Sequence, residues 1–136
     1  MVTLRTGDIW LAQLDPTVGR EIQKTRPCVV ISPDEMNQHL HTLVVAPMAT
    51  GSRAAAFRIP LTFQGKSGLI VLDQIRTLDR ARLVKRMGAL RPQTLGTTLH
   101  TLQSMFAPAT PDAAAILALA GGTEPAVKAP PRRRPI

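Results

Sequence analysis

Residues 28–31 have the sequence Cys28-Val29-Val30-Ile31, a short apolar run that is rich in β-branched side chains. A run of this kind predicts a central strand that is buried in a sheet. The run from Thr42 to Ala46 has the same character and predicts a second central strand. Pro27 precedes the first run and biases Arg26 toward an extended conformation at the point where the strand begins.

Four further segments have strand character. They are Gly7–Leu14, Phe57–Leu61, Gly68–Leu72 and Leu83–Leu90. Pro60 has no backbone N–H to donate, so the second of these segments is expected at a sheet edge. We expect the last segment to pair with Gly68–Leu72.

A helix is predicted to begin at Pro92, because proline at the first helical position loses no hydrogen bond. One apolar face of this helix is formed at helical spacing by Leu95, Leu99, Leu102 and Phe106. Short strands joined by turns and closed by one helix predict a mainly β fold with a C-terminal helix. The architecture that we expect is a small β-barrel of the SH3-like kind.

The length of 136 residues is sufficient for one domain, which we place at residues 1–107. Residues 108–136 are rich in proline, alanine and arginine and predict a tail, with a short helix at Asp112–Ala120 and a disordered end. The chain has one cysteine, no cluster of zinc ligands and no apolar run long enough for a membrane helix. We therefore expect a small cytoplasmic protein with no disulfide, metal, cofactor or membrane partner.

The charge is strongly positive, with 17 basic and 9 acidic residues and a net charge of +8. Most of the excess, +6, lies within residues 1–107 and therefore belongs to the predicted domain. A domain this basic commonly binds polyanions such as nucleic acids. The alternative is a well-solvated surface with no such partner.

Three polar segments are candidates for a functional site. The first, Gly19–Pro27, joins two predicted strands and carries one carboxylate and three cations. Loops held by a rigid scaffold commonly carry binding groups, although a solvated connection has the same composition. The second, Pro47–Arg53, places hydroxyls beside a glycine and an arginine, as phosphate sites and plain loops both do.

The third segment, Leu72–Asp79, begins where a buried run ends. Asp73 and Gln74 therefore either satisfy backbone groups at the rim of the barrel or face a ligand. Arg76 and Asp79 are expected to pair with each other at the surface.

Other catalytic classes find no support. The chain has no defensible Ser-His-Asp or Cys-His arrangement and no glycine-rich phosphate loop. Cys28 lies within an apolar run and is expected to be an inert buried thiol.

In their order along the chain, several motifs together resemble the MazF/PemK family of toxin ribonucleases, over about residues 4–107. The matching motifs are Gly7-Asp8-Ile9-Trp10, Leu14-Asp15-Pro16, Gly19-Arg20-Glu21, Arg26-Pro27-Cys28-Val29-Val30-Ile31-Ser32, Val45-Ala46-Pro47 and Asp73-Gln74-Ile75-Arg76-Thr77-Leu78-Asp79. The resemblance implies an SH3-like barrel, usually a homodimer, that cuts single-stranded RNA without a metal. It also implies 2′,3′-cyclic phosphate and 5′-OH products, and an antitoxin partner whose acidic, disordered segment blocks the RNA channel.

The resemblance assigns the catalytic roles to Arg26, Glu21 and Thr50, with Glu21 acting as the base or orienting Arg26. RNA contacts are expected from Arg20, Lys24, Thr25, Ser52, Arg53, Asp73, Gln74 and Arg76. Two positions depart from the family pattern. Ala49 stands where a catalytic threonine is common, so either Thr50 serves or the site lacks a hydroxyl. Val71 stands where PemK-type members have an arginine, so Arg26 must carry the chemistry.

Two alternatives have different consequences. A non-catalytic nucleic-acid-binding barrel would bind RNA or DNA in a salt-sensitive manner without cleaving it. A gyrase poison on the related CcdB fold would rely on a C-terminal tryptophan, whereas the only tryptophan here is Trp10.

Overall fold

The computed structural model describes residues 3–109, which contain seven strands and two α-helices. The elements are β1 Asp8–Gln13, β2 Thr25–Val30, α1 Asp34–His39, β3 Thr42–Ala49, β4 Arg58–Phe63, β5 Lys66–Val71, β6 Arg76–Asp79, β7 Leu83–Ala89 and α2 Pro92–Phe106. Single turns of 3₁₀ helix at Leu72–Gln74 and Arg80–Arg82 flank β6. Within residues 3–109, no helix has both the length and the apolar composition that a membrane crossing requires.

The strands form one antiparallel sheet in the order β4-β5-β3-β2-β1-β7, and β6 pairs with the first half of β3. The sheet curls into a half-barrel with a C-terminal helix, which confirms the predicted fold class. One edge of β3 pairs with β2, while the other edge pairs first with β6 and then with β5. The long strand β3 therefore connects all three polar segments that the sequence singled out.

Both faces of the sheet are buried. One apolar cluster contains Leu4, Trp10, Ala12, Leu14, Cys28, Val30, Leu43, Val45 and Leu78. The other contains Ile9, Val29, Ile31, Ala46, Met48, Ile59, Ile70 and Leu72. Successive residues of β2 alternate between the two clusters, so the strand is uninterruptedly apolar instead of alternating with polar residues.

Burial also determines the state of the cysteine. It raises the pKa of the Cys28 thiol to about 12, and the positive charge of Arg76 only partly opposes this effect. The thiol stays protonated at neutral pH, as expected of an inert core residue.

The edge position of the strand with Pro60 and the helix that begins at Pro92 are confirmed. The predicted pairing of Leu83–Leu90 with Gly68–Leu72 is wrong, because β4 and β3 already occupy both edges of β5. Strand β7 instead pairs with the free edge of β1.

Three local features also differ from the sequence analysis. Helix α1 was missed, although Asp34 and Glu35 in its first turn are a recognisable start signal. Strand β6 was missed because it directly follows a 3₁₀ turn. In α2, Leu102 packs on the second cluster, but Phe106 is 70% exposed, so the packed face ends before the last turn.

Candidate active site

The connection between β1 and β2, residues 14–24, is closed at its base by the backbone. The N–H of Leu14 donates to the carbonyl of Lys24 at 2.9 Å, and the N–H of Glu21 donates to Val18 O at 3.2 Å. Gly19 and Lys24 have φ values of 60° and 70°, which allow these turns. The connection is therefore a folded loop and presents its charged side chains from a defined backbone.

Two side chains of the β5–β6 region hold this loop by its backbone. The Oε1 atom of Gln74 accepts a hydrogen bond from the N–H of Ile22 at 2.7 Å. The Nη1 atom of Arg76 donates to the carbonyl of Leu14 at 2.9 Å. Of the two roles open to Gln74, satisfying a backbone group is the one observed.

The predicted surface pair between Arg76 and Asp79 is wrong. The Oδ1 atom of Asp79 accepts from the N–H of Ala81 at 2.8 Å and caps the second 3₁₀ turn. Arg76 is instead directed to the Leu14 carbonyl, because that carbonyl lies at the end of β1 with no partner in the sheet.

Asp73 forms an ion pair that the sequence analysis missed. The Nε and Nη2 atoms of Arg58 donate to Oδ1 and Oδ2 of Asp73 at 3.1 and 3.0 Å. This two-bond contact lowers the pKa of the Asp73 carboxyl and raises that of the Arg58 guanidinium. Arg58 pairs in register with Val71, so it stands across from the position that lacks the PemK-type arginine. No sequence signal connects residues 58 and 73; only the strand register does.

The Asp73 carboxyl is expected to give the chain a small acid-dependent loss of stability. Its folded-state pKa lies below the ordinary value of 3.8, so the ion pair stabilises the fold above that value and is lost as the pH falls through the folded-state pKa. The Asp73→Asn variant should have a lower Tm at neutral pH by no more than about 5 °C. This difference should shrink toward zero below about pH 4 in thermal unfolding followed by circular dichroism. Glu35→Gln, at an exposed carboxylate, is the control and should show no such convergence.

A first cleft, named here the Arg26 cleft, has a volume of about 260 Å³. It is lined by Arg26, Pro27, Met48, Ala49, Thr50, Leu61, Phe63, Gln64, Lys66 and Gly68. The β2–β3 register pairs Cys28 with Pro47, and its continuation brings Arg26 level with Ala49. Arg26 and Thr50, which are far apart in sequence, therefore meet at one end of the sheet.

Glycine at position 68 permits this arrangement. A Cβ atom there would lie 3.1 Å from the carbonyl oxygen of Ala49 and 3.8 Å from Cγ2 of Thr50. A Cβ atom at this position would be in tight contact with the backbone of Ala49, so glycine favours the close approach of β5 to the end of β3. The backbone next to Thr50 is therefore packed against β5 at Gly68, and the Thr50 hydroxyl extends from this packed backbone.

A second cleft, named here the Glu21 cleft, has a volume of about 520 Å³. It is lined by Val18, Arg20, Glu21, Ile22, Pro47, Asp73, Gln74, Ile75 and Arg76. Pro47 lines this cleft and the next residue, Met48, lines the Arg26 cleft. The two clefts therefore adjoin consecutive residues of β3.

The structure thus separates residues that the resemblance had grouped. Arg26 and Thr50 share one cleft, whereas Glu21 lines the other. The orientation of Arg26 by Glu21 stays a prediction. Within residues 3–109 Glu21 takes part in no ion pair, and the Nε atom of Arg26 donates to the carbonyl of Gln23 at 3.2 Å. The Nε atom of Arg26 reaches the carbonyl of Gln23 because Gln23 lies three residues before Arg26 in the same loop.

The remaining predicted RNA contacts line neither cleft. Lys24 and Thr25 are exposed where β2 begins, while Ser52 is half-buried and Arg53 exposed in the loop before β4. The carbonyl of Arg53 accepts a hydrogen bond from Nη1 of Arg58 at 2.8 Å. That loop is therefore tied to β4 by its backbone.

The clefts differ in charge. The described residues that line the Arg26 cleft include two cations, Arg26 and Lys66, and no carboxylate, beside an apolar wall of Met48, Leu61 and Phe63. This combination suits a phosphate next to a nucleobase. The Glu21 cleft has both signs of charge.

Comparison with known proteins identifies the family. Residues 5–106 match the profile of the family described as "PemK-like, MazF-like toxin of type II toxin-antitoxin system". The chain belongs to this family. It is 38% identical over 109 residues to the endoribonuclease PemK of Escherichia coli, covering 76% of this chain and 82% of that protein. It is 34% identical over 90 residues to the endoribonuclease MazF of Staphylococcus epidermidis, covering 62% and 75%.

Solved structures of PemK/MazF toxins share the fold. MazF from Deinococcus radiodurans superposes with a TM-score of 0.70 at 23% identity, covering 79% of this chain and 100% of that one. A mycobacterial endoribonuclease, solved in complex with its cognate antitoxin, superposes with a TM-score of 0.64 at 18% identity, covering 82% and 100%. The half-barrel with its C-terminal helix is thus the architecture of the PemK/MazF toxins.

Proposed function

We propose that this toxin is an endoribonuclease that cleaves single-stranded RNA, such as mRNA, at specific sequences and without a metal ion. In this reaction a ribose 2′-OH loses its proton and its oxygen attacks the adjacent phosphorus. The bond from phosphorus to the 5′-oxygen breaks, and that oxygen takes up a proton from water. The products carry a 2′,3′-cyclic phosphate and a 5′-OH. The observation that carries the proposal is the meeting of Arg26 and Thr50 in one cationic cleft. The endoribonuclease relatives support the same activity.

Arg26 supplies positive charge to the phosphate in the transition state. The phosphorane that forms carries more negative charge than the phosphodiester, so a guanidinium that is already in place stabilises it preferentially. Arginine stays protonated in proteins, and Arg26 therefore acts by charge and hydrogen bonding instead of proton transfer. Its Nη atoms are the groups that reach the phosphate, since Nε is held by Gln23.

Thr50 donates its hydroxyl hydrogen to a non-bridging phosphate oxygen. The side chain is exposed within the Arg26 cleft, and the packing of Gly68 against Ala49 fixes its backbone. In this arrangement Thr50 supplies the hydroxyl that Ala49 lacks.

Glu21 is the candidate acceptor for the 2′-OH proton. The other carboxylate of its cleft, Asp73, is engaged by Arg58, whereas Glu21 is exposed and has no ion-pair partner within residues 3–109. RNA that crosses the end of β3 would contact both clefts, together with the exposed Lys24 and Thr25 that directly precede Arg26. Arg20 and the polar groups near Gln74 then contact neighbouring nucleotides.

The surface around the two clefts also accounts for the antitoxin partner that we propose. Structures of related toxins include complexes with their antitoxins. An antitoxin with an acidic, unfolded segment would cover the cationic groups of the clefts and exclude RNA. We also propose that the toxin acts as a homodimer, that residues 1–107 form the toxin domain, and that residues 108–136 are an appended tail, whose predicted helix and disordered end lie outside the described residues.

The test is incubation of the purified protein with a long single-stranded RNA in EDTA, followed by mapping of the new ends. We expect 5′-OH ends, which need phosphorylation before ligation, at one recurring short sequence. Products with 5′-phosphate ends, or a requirement for a divalent metal, would contradict the proposed chemistry. Intact RNA with salt-sensitive binding would favour the non-catalytic nucleic-acid-binding barrel. Ala49 supports this alternative, because it stands where the family commonly has a catalytic threonine.

A further inference from the structure

The side chain of Arg58 connects the segments that carry the two clefts. It lies at the start of β4, in register with Val71 of β5. Its Nε and Nη2 atoms bind Asp73, its Nη1 atom binds the carbonyl of Arg53, and its guanidinium lies 5.7 Å from the ring centre of Phe57. All three nitrogens of the guanidinium thus donate to protein acceptors.

The segments that Arg58 connects each carry a part of the site. The loop that contains Arg53 begins directly after β3 with Thr50, which lines the Arg26 cleft. Asp73 belongs to the same 3₁₀ turn as Gln74, whose amide oxygen holds the N–H of Ile22. Ile22 is next to Glu21 in the loop that lines the other cleft.

We propose that Arg58 is a positioning residue for RNA cleavage, which holds the Thr50 loop and the Asp73–Gln74 turn in register with each other. It acts through Asp73 and the Arg53 carbonyl and leaves the phosphate to Arg26. The inference rests on the two clefts being the RNA site, as proposed above. It also reassigns Asp73, whose carboxylate is used within the protein and not on RNA.

Energetics distinguish this role from a purely structural one. The side chains of Arg58 and Asp73 are 20% and 32% exposed, and ion pairs at such sites contribute little to stability. A bidentate arginine–carboxylate contact nevertheless fixes the relative orientation of the two side chains, because both hydrogen bonds must form together. Displacement of catalytic groups by about 1 Å costs about a hundredfold in rate. Loss of Arg58 should therefore reduce catalysis far more than folding.

The experiment compares five single variants, one of them Arg26→Ala, and one double variant on a short RNA that contains the cleavage sequence. We expect Arg58→Gln and Asp73→Asn each to lower kcat by about tenfold to a hundredfold, with the larger part of the effect in kcat and not in KM. The double variant should be no worse than either single one, because both remove the same contact. Arg58→Lys should recover only part of the loss, since lysine cannot bind Asp73 and the Arg53 carbonyl in the same fixed geometry.

Arg86→Gln is the matched control. Arg86 forms the other ion pair found within residues 3–109, with Asp8 at 3.3 Å, and it lines neither cleft. This variant should keep its kcat even if its Tm falls. Thermal unfolding of all variants separates a loss of folded protein from a loss of rate.

A kcat for Arg58→Gln within twofold of the starting protein would overturn the proposal, as would a loss that is fully explained by the unfolded fraction. Additive effects in the double variant would also overturn it. Full cleavage by Arg26→Ala with loss in Arg58→Gln would overturn the catalytic role of Arg26 and retain the positioning role of Arg58. The reverse pattern would overturn the role of Arg58 alone.

Discussion

Replacement of Arg26 by alanine is expected to lower kcat for RNA cleavage by at least about a thousandfold, since an arginine placed at a phosphoryl transition state contributes about 10³–10⁵ in rate. The Arg26 cleft is lined by one other cation, Lys66. Lys66 lies at the start of β5 and not on β2, so it does not occupy the position of Arg26. Single-turnover cleavage of a defined RNA, with excess enzyme, measures the loss directly. Folding should be unaffected, because Arg26 is exposed and its side chain makes one hydrogen bond, to Gln23.

Two companion variants make this expectation specific. Arg26→Lys keeps the charge but loses the planar fork, so we expect intermediate activity. Arg5→Ala removes an exposed arginine that lines neither cleft and should cleave normally. Cleavage by Arg26→Ala within tenfold of the starting protein would show that the catalytic charge lies elsewhere.

Replacement of Thr50 by alanine is expected to lower kcat by about a hundredfold, the effect of removing one hydrogen-bond donor from a developing oxyanion. Thr50→Ser should keep most of the activity, because the hydroxyl remains. The KM of both variants should change little if the contact strengthens in the transition state. The same single-turnover assay gives the rates.

Thr97 provides the control for this second expectation. It carries an exposed hydroxyl in α2 and lines neither cleft, so Thr97→Ala should cleave normally. Unchanged cleavage by Thr50→Ala would mean that the site works without a hydroxyl at this end of β3.

The strands were predictable because their apolar runs are continuous. Cys28–Ile31 and Thr42–Ala46 have no alternating pattern, and the structure explains this by burial on both faces of the sheet. The pairing of β7 with β1 was not predictable, because no residue pattern in β7 indicates which free strand edge it pairs with. Phe106 continues the helical period of α2 but lies beyond the sheet that would cover it.

The candidate site was predictable in its parts and not in its connections. Motif order placed Arg26 and Thr50 in segments that the β2–β3 register then brings together. Glu21 and Arg26 line different clefts, because closeness in sequence does not determine which cleft a loop residue reaches. Arg58 escaped notice because its importance derives from Asp73, which lies 15 residues away on another element.

Three side chains hold the loops around the two clefts by hydrogen bonds to backbone atoms of those loops. Gln74 holds the N–H of Ile22, Arg76 holds the carbonyl of Leu14, and Arg58 holds the carbonyl of Arg53. Almost any amino acid supplies such a backbone group, so the side chains of these loops can be exchanged while their paths are kept. Buried strands tolerate no comparable freedom. If these loops bind RNA as proposed above, substitutions within them can change the RNA sequence that is bound while the barrel is kept.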